Sequence, residues 1–241
     1  MKVKYGGVNL DEQFECIVTK RPLPEFRANS SKVYGVDGEV FEGVNYGTRE
    51  ITIAVYALDK KRRGVQRAAR DLMSILATHE EKKLFIGDER DKDGNELYRL
   101  AVPSGTFDFE QFIHAGKWEI TFKQFDPYLY GKDRVERLRA NQMLAINSGG
   151  GENVEAWPVI TATPTSNTFT LQKLGGEHIT FKGAIAGKKL TVNMRRQIVK
   201  VEPEITTGEG LQLGSRFFSI DGLVGITANC PAEIAWTERW L

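Results

Sequence analysis

Hydrophobic and polar residues alternate with a period of two through much of this chain, and one stretch shows it most clearly. In Gly116–Gly131 (GKWEITFKQFDPYLYG), Trp118, Ile120 and Phe122 alternate with Glu119, Thr121 and Lys123, the pattern of a half-buried strand. The strand is predicted to stop at Asp126-Pro127, because proline lacks the backbone donor that a ladder needs. An aromatic hinge, Tyr128-Leu129-Tyr130-Gly131, follows near the middle of the chain. The layout predicts two β-rich domains joined at this corner, residues 1–131 and residues 132–241.

The same reading extends along the chain. Phe14–Thr19 is apolar and β-prone, whereas residues 21–38, with Pro22, Pro24, Asn29, Ser30 and Ser31, read as a long connecting loop. Arg49–Ala57 sets Ile51, Ile53 and Val55 on one face and Thr52, Ala54 and Tyr56 on a second, partly covered face. One helix is predicted, over residues 64–78, where Val65, Ala68, Ala69, Leu72, Met73 and Leu76 form a core-facing stripe. Leu84–Ile86 and Leu97–Val102 flank the turn Asp91-Lys92-Asp93-Gly94-Asn95, in which Asp-Gly supplies the positive φ of a hairpin. Lys132–Ile146 fits either a helix or a linker leading into a strand. From Trp157 onward the pattern is all β: Val159–Thr163, Thr168–Lys173, Glu177–Lys182, Lys189–Met194, Gln197–Glu202, Leu211–Leu213, Arg216–Ile220 and Ala232–Trp240. Their regular spacing predicts a β-sandwich.

Composition narrows the class. Glycine, at 24 of 241 residues, suits many turns and many short strands. With 33 basic against 32 acidic residues the net charge is +1, and that balance argues against a duplex-DNA-binding protein, which needs a basic excess on one face. No apolar run approaches the ~18 residues of a membrane span, and MKVKYGGVNL lacks a secretory h-region, so a soluble chain made in a cytoplasm is expected. Cys16 and Cys230 form no CxxC pair; they read as reduced, buried thiols, the alternative being a disulfide that would link the chain ends.

Motifs for chemistry are weak throughout. His79, His114 and His178 have no metal-ligand spacing, Gly149-Gly150-Gly151 runs into Val154 instead of a dinucleotide-loop glycine, and no GK[ST] loop or Gly-x-Ser-x-Gly elbow occurs. Glu89, Asp91, Asp93 and Gly94 imitate a calcium loop, but Leu100 stands where its bidentate glutamate belongs. Glu152 and Glu155 beside Trp157 are the only hint of a sugar-cleaving pair, and Lys60–Arg63 the only cluster suited to an acidic partner. Trp157, Trp236, Trp240 and Tyr128 read as packing residues. The expectation is therefore no catalytic, cofactor or metal residues and no enzyme.

Several stretches together resemble the distal tail proteins of long, non-contractile-tailed bacteriophages. They are GTREITI at Gly47–Ile53, the helix after it, the Asp-Pro-Tyr-x-Tyr-Gly hinge, NVEAWPVIT at Asn153–Thr161 and the closing Arg239-Trp240-Leu241. The resemblance implies a mostly β fold: an N-terminal, split-barrel-like domain with one α-helix and a galectin-like C-terminal β-sandwich. It implies a hexameric ring at the virion tail tip, a baseplate hub joining the major tail tube protein to a tail-associated fibre or lysin protein. Receptor-binding proteins assemble around such a hub in many phages. It names no active-site residues. Larger relatives insert carbohydrate-binding modules into the C-terminal half, for which residues 131–241 leave no room. The alternative reading is an adhesin that recognises host cell-wall sugars.

Overall fold

The computed structural model describes residues 2–58, 62–105, 109–111, 115–202, 204–205 and 210–241. Its contacts separate into two units, Met1–Leu129 with Leu241, and Tyr130–Trp240. Among the described residues it holds twenty strands, one α-helix and one 3-10 turn at Leu10–Glu12.

The first unit is built from β1 (Val3–Tyr5), β2 (Val8–Asn9), β3 (Glu15–Lys20), β4 (Phe26–Ser31), β5 (Val40–Tyr46), β6 (Arg49–Leu58), α1 (Arg62–Leu76), β7 (Lys82–Arg90), β8 (Glu96–Ser104), β9 (Phe109–Gln111) and β10 (Ala115–Gln124). Antiparallel pairing runs β2-β1-β7-β8-β10-β6-β3, with β9 also on β10. The longest ladder is β6 with β10, where Ile53 faces Ile120 and Ile51 faces Phe122, all fully buried. Cross-strand apolar pairs of this kind are the unit of sheet stabilisation. Val65, Leu72 and Leu76 of α1 close the core over Tyr5, Phe14 and Trp118.

Four features of this unit depart from the sequence pattern. The helix spans 62–76 instead of 64–78. Gly64 is tolerated one turn in, and Thr78 bonds its hydroxyl to the backbone at Glu80, a local turn that competes with further helix. Met73 is exposed, and Ile75 packs against the core in its place. Each lies about 80° from the middle of the stripe, on opposite sides, so periodicity alone does not choose between them. Third, the segment read as a loop over residues 21–38 contains β4, paired with β5 in a two-stranded sheet of its own. Fourth, the Asp93-Gly94 turn sits in a five-residue loop rather than a two-residue one. Asp91 closes it by accepting hydrogen bonds from the backbone N–H groups of Asp93 and Asn95 at 2.9 and 2.7 Å.

At the Asp126-Pro127 interruption the buried amide of Gln124 donates to the carbonyls of Asp126 and Tyr128, at 2.5 and 2.8 Å. The backbone groups that proline removes from the ladder are replaced here by a side chain, and the next strand starts at Leu129. That strand, β11 (Leu129–Leu138), is what the ambiguous segment after the hinge becomes. It is followed by β12 (Leu144–Asn147), β13 (Val159–Ala162), β14 (Thr168–Lys173), β15 (His178–Lys182), β16 (Leu190–Asn193), β17 (Ile198–Val201), β18 (Glu204–Ile205), β19 (Leu223–Ala228) and β20 (Ala232–Trp240).

The second unit is a sandwich of sheets β18-β17-β16-β13-β20-β11 and β12-β19-β14-β15. Ile160, Val192 and Ile234 from the first sheet and Phe169, Phe181 and Ile226 from the second fill one core. Two predicted strands reduce to single bridges, Phe181 with Leu211 and Ala156 with Ile220, because turns at Gly214 and Gly222 leave too little chain to pair. β19, which the sequence pattern did not mark, lies in the middle of the smaller sheet. Its core-facing positions are Val224, Ile226 and Ala228, with Gly225 and Thr227 on the opposite face.

Candidate functional site

The β4-β5 hairpin is the feature of the first unit that its own core does not explain. Phe26 pairs with Tyr46 and Ala28 with Val44; the register then shifts so that Ser30 pairs with Phe41. This bulge, at Gly43 (φ 146°), brings Phe41 onto the face of Phe26, Val44 and Tyr46. Phe26 and Phe41 are 62% and 66% exposed, and Leu23, Val33, Tyr34 and Val36 around them are exposed as well. At the hairpin's base Tyr46 holds Phe26 edge-on at 5.2 Å and Tyr128 at 6.3 Å, and Gly47 N–H donates to the Glu25 carbonyl. A two-stranded sheet with an open apolar face is marginal in water, and such a face marks an interaction surface.

A second feature of this unit is electrostatic. Arg99 is fully buried and pairs with Glu89, which also lies 3.3 Å from Arg21, itself 2.9 Å from Asp88. Arg49 is buried beside them; desolvation first, then the charge of Arg99, lowers its guanidinium to about 10. Desolvation lowers Arg99 too, against the opposing pull of Glu89. Nε and Nη2 of Arg49 have no hydrogen-bond partner among the described residues. One carboxylate thus serves two buried cations, an arrangement that costs desolvation and contributes little net attraction.

Residues singled out for chemistry do not converge. Glu152 and Glu155 are exposed, and the Glu155 carbonyl, not its carboxylate, accepts from Arg239 at 2.9 Å. The Asp91 carboxylate is engaged within its own turn, and no group of metal-binding side chains occurs among the described residues. His178 contacts the Gly176 carbonyl at 3.2 Å; His114 and the side chains of Lys60–Arg63 lie outside the described residues. Burial first, with Asp11 adding to it, pushes the Cys16 thiol up to about 12, so it is no nucleophile at neutral pH; both cysteines are free and buried. Trp236 is buried in the sandwich core and donates to the Ser148 carbonyl at 2.9 Å.

The triple glycine instead serves packing. A Cβ on Gly150 would overlap the backbone carbonyl of Arg239, whose oxygen accepts a hydrogen bond from Gly151 N–H at 2.8 Å. The segment lies against β20, and only glycine permits so close an approach.

Residues 9–124 match the family model of the phage tail protein RIFT-related domain, and residues 151–240 that of the siphovirus-type tail component, C-terminal domain. The chain belongs to the phage distal tail family. Its fold matches the crystal structure of phage SPP1 Dit, described as a paradigm of the hub adsorption apparatus in Gram-positive-infecting phages. The TM-score is 0.77 at 15% identity, covering 100% of this chain and 99% of that one. Two structures of the phage P2 baseplate in its activated conformation, with Ca and with Sr, match at TM-scores of 0.52 and 0.53 and 9% identity. They cover 99% and 98% of this chain, and 91% and 97% of theirs. No curated protein matches the sequence. The two family models thus make the chain a component of the phage tail.

Proposed function

We propose that the protein forms a hexameric ring at the end of the tail tube, built by residues 1–131, with residues 132–241 as its C-terminal sandwich domain. One side of the ring meets the major tail tube protein; the other receives the tail-associated fibre or lysin protein and, around it, receptor-binding proteins. The single observation that carries the reading is the β4-β5 hairpin, whose apolar face finds no cover within its own unit. A neighbouring copy is the economical occupant, because one such contact repeated head to tail closes into a ring when the rotation fits. Family membership and the likeness to SPP1 Dit support the same reading.

Light scattering with negative-stain imaging tests it. The expected result is a six-copy species and annular particles, alone or on isolated tail-tube ends. Phe41→Asp should abolish the ring while leaving the thermal unfolding of the protomer within about 2 °C, as for other exposed sites. A protein that stays monomeric at every concentration and fails to join tube ends overturns the reading.

A further inference from the structure

The helix α1 is covered on one side. Val65, Leu72 and Leu76 face the core, whereas Gln66, Arg70, Met73 and Ala77 are all exposed and fall within about 60° of one another on the far side. Ala77, just past the end of α1, continues the turn: its N–H donates to the Met73 carbonyl at 2.9 Å. Arg67 and Ser74 border this stripe and are exposed too. Arg67 lies 4.0 Å from Asp71 of its own helix, a solvated pair that holds it weakly. Met73, 49% exposed, is thus an apolar side chain set among arginine stems.

Charge matches this face to the β4-β5 hairpin. Over residues 62–76 the helix carries four arginines against one acid, Asp71. Over residues 26–46 the hairpin carries Asp37, Glu39 and Glu42 against Arg27 and Lys32, all exposed, and Arg27 is already paired with Glu25 at 2.6 Å. Other apolar positions of the first unit fit less well. Exposed Ile17 is paired with Ala54, whose other neighbour is Glu119, and Glu15 shares its face, so acids would meet acids there. Phe125 is faced by Lys123 at 5.5 Å, and Val8 sits on a two-residue strand. The sizes also agree: the stripe from Gln66 to Ala77 is about 16 Å long, and a six-residue strand such as β4 about 20 Å.

We propose that the aromatic face of the hairpin docks on the outer face of α1 in the neighbouring copy, with Phe26 and Phe41 against Met73 and the stems of Arg67 and Arg70. The inference rests on the ring reading above and names the surface that receives the hairpin. Each partner supplies what the other lacks. The helix gains a second sheet on its open side, the layering by which helices and sheets bury their faces. Exposed phenylalanine rings gain arginine stems and guanidinium planes, which pack on aromatic faces and are enriched with aromatics at interface centres. The hairpin's acids lie at the rim, where charge sets orientation and register more than affinity.

Cross-linking of the assembled protein, alone or on tail-tube ends, tests the proposal. Ala28→Cys, on the face of Phe26, is combined with Gln66→Cys and, separately, with Ser74→Cys, at the two ends of the helical stripe, and treated with a short bismaleimide. The native Cys16 and Cys230 are buried, and the native protein serves as the blank. At least one pair should give a covalent ladder reaching six copies, and no single variant should. Arg70→Glu should raise the concentration for half-assembly at least tenfold, while Arg196→Glu, the same charge change at an exposed position of the second unit, leaves it unchanged. Rings that form while neither pair cross-links overturn the proposal and leave the ring reading standing. So does an Arg70→Glu protein that assembles like Arg196→Glu. Cross-linked dimers from Ala28→Cys alone move the contact to a hairpin against a hairpin and overturn it as well. A protein that forms no ring removes both readings together.

Discussion

At the scale of single residues, two positions show what the chain spends on its interior. Glu89 pairs with buried Arg99 and offsets the charge of buried Arg49, Asp88 adding a weaker pull on Arg99, so neutralising Glu89 removes the chief compensation of both cations. Glu89→Gln should therefore cost about 3 kcal/mol in urea unfolding, in the range for breaking one partner of a buried pair. The double change Glu89→Leu with Arg99→Met should recover part of that loss; if it is worse than the single change, the cluster is stabilising and the account fails. Gly150→Ala should also destabilise, by about 2 kcal/mol or more, because the added methyl meets the rigid backbone of Arg239 instead of a yielding side chain. The same unfolding curves read it. Neither residue is conspicuous in sequence. Glu89 sits in a charged run that reads as solvated, and Gly150 in a triple glycine whose partner strand is nearly ninety positions away.

Elements were legible where one face is buried and the other wet. β10 alternates strictly, and β14 and β20 start and stop where their patterns do. The hairpin was not legible, for a physical reason: its apolar face is uncovered within one chain, and the bulge at Gly43 puts Phe41 out of phase with Val44 and Tyr46. A period-two reading that allowed one slip at a glycine would have found it. The helix shows the complementary failure, since a 3.6-residue period cannot distinguish the two flanks of its stripe. Leu72→Ala should cost about 2–4 kcal/mol, as large-to-small changes in a core do, whereas Met73→Ala should stay within about 0.5 kcal/mol. Circular dichroism during thermal and urea unfolding separates the two. Equal losses would mean that Met73, not Ile75, meets the core.

For the whole molecule, the near-neutral charge bears on how copies meet. With a net charge of +1, protomers have little long-range repulsion to overcome and little attraction to lose, so salt should act weakly on association. The proposed contact is also apolar, and apolar contacts persist when ions screen charge. An assembly carried by the β4-β5 hairpin should therefore keep its mass between about 0.1 M and about 1 M sodium chloride, over which the screening length falls from about 10 Å to about 3 Å. An arginine–carboxylate interface between exposed groups would dissociate over the same range. Sedimentation velocity at both salt concentrations, on the native protein and on Phe41→Asp, separates the cases. A native assembly that falls apart at high salt while Phe41→Asp remains assembled at low salt would transfer the contact from the hairpin to charged surface elsewhere.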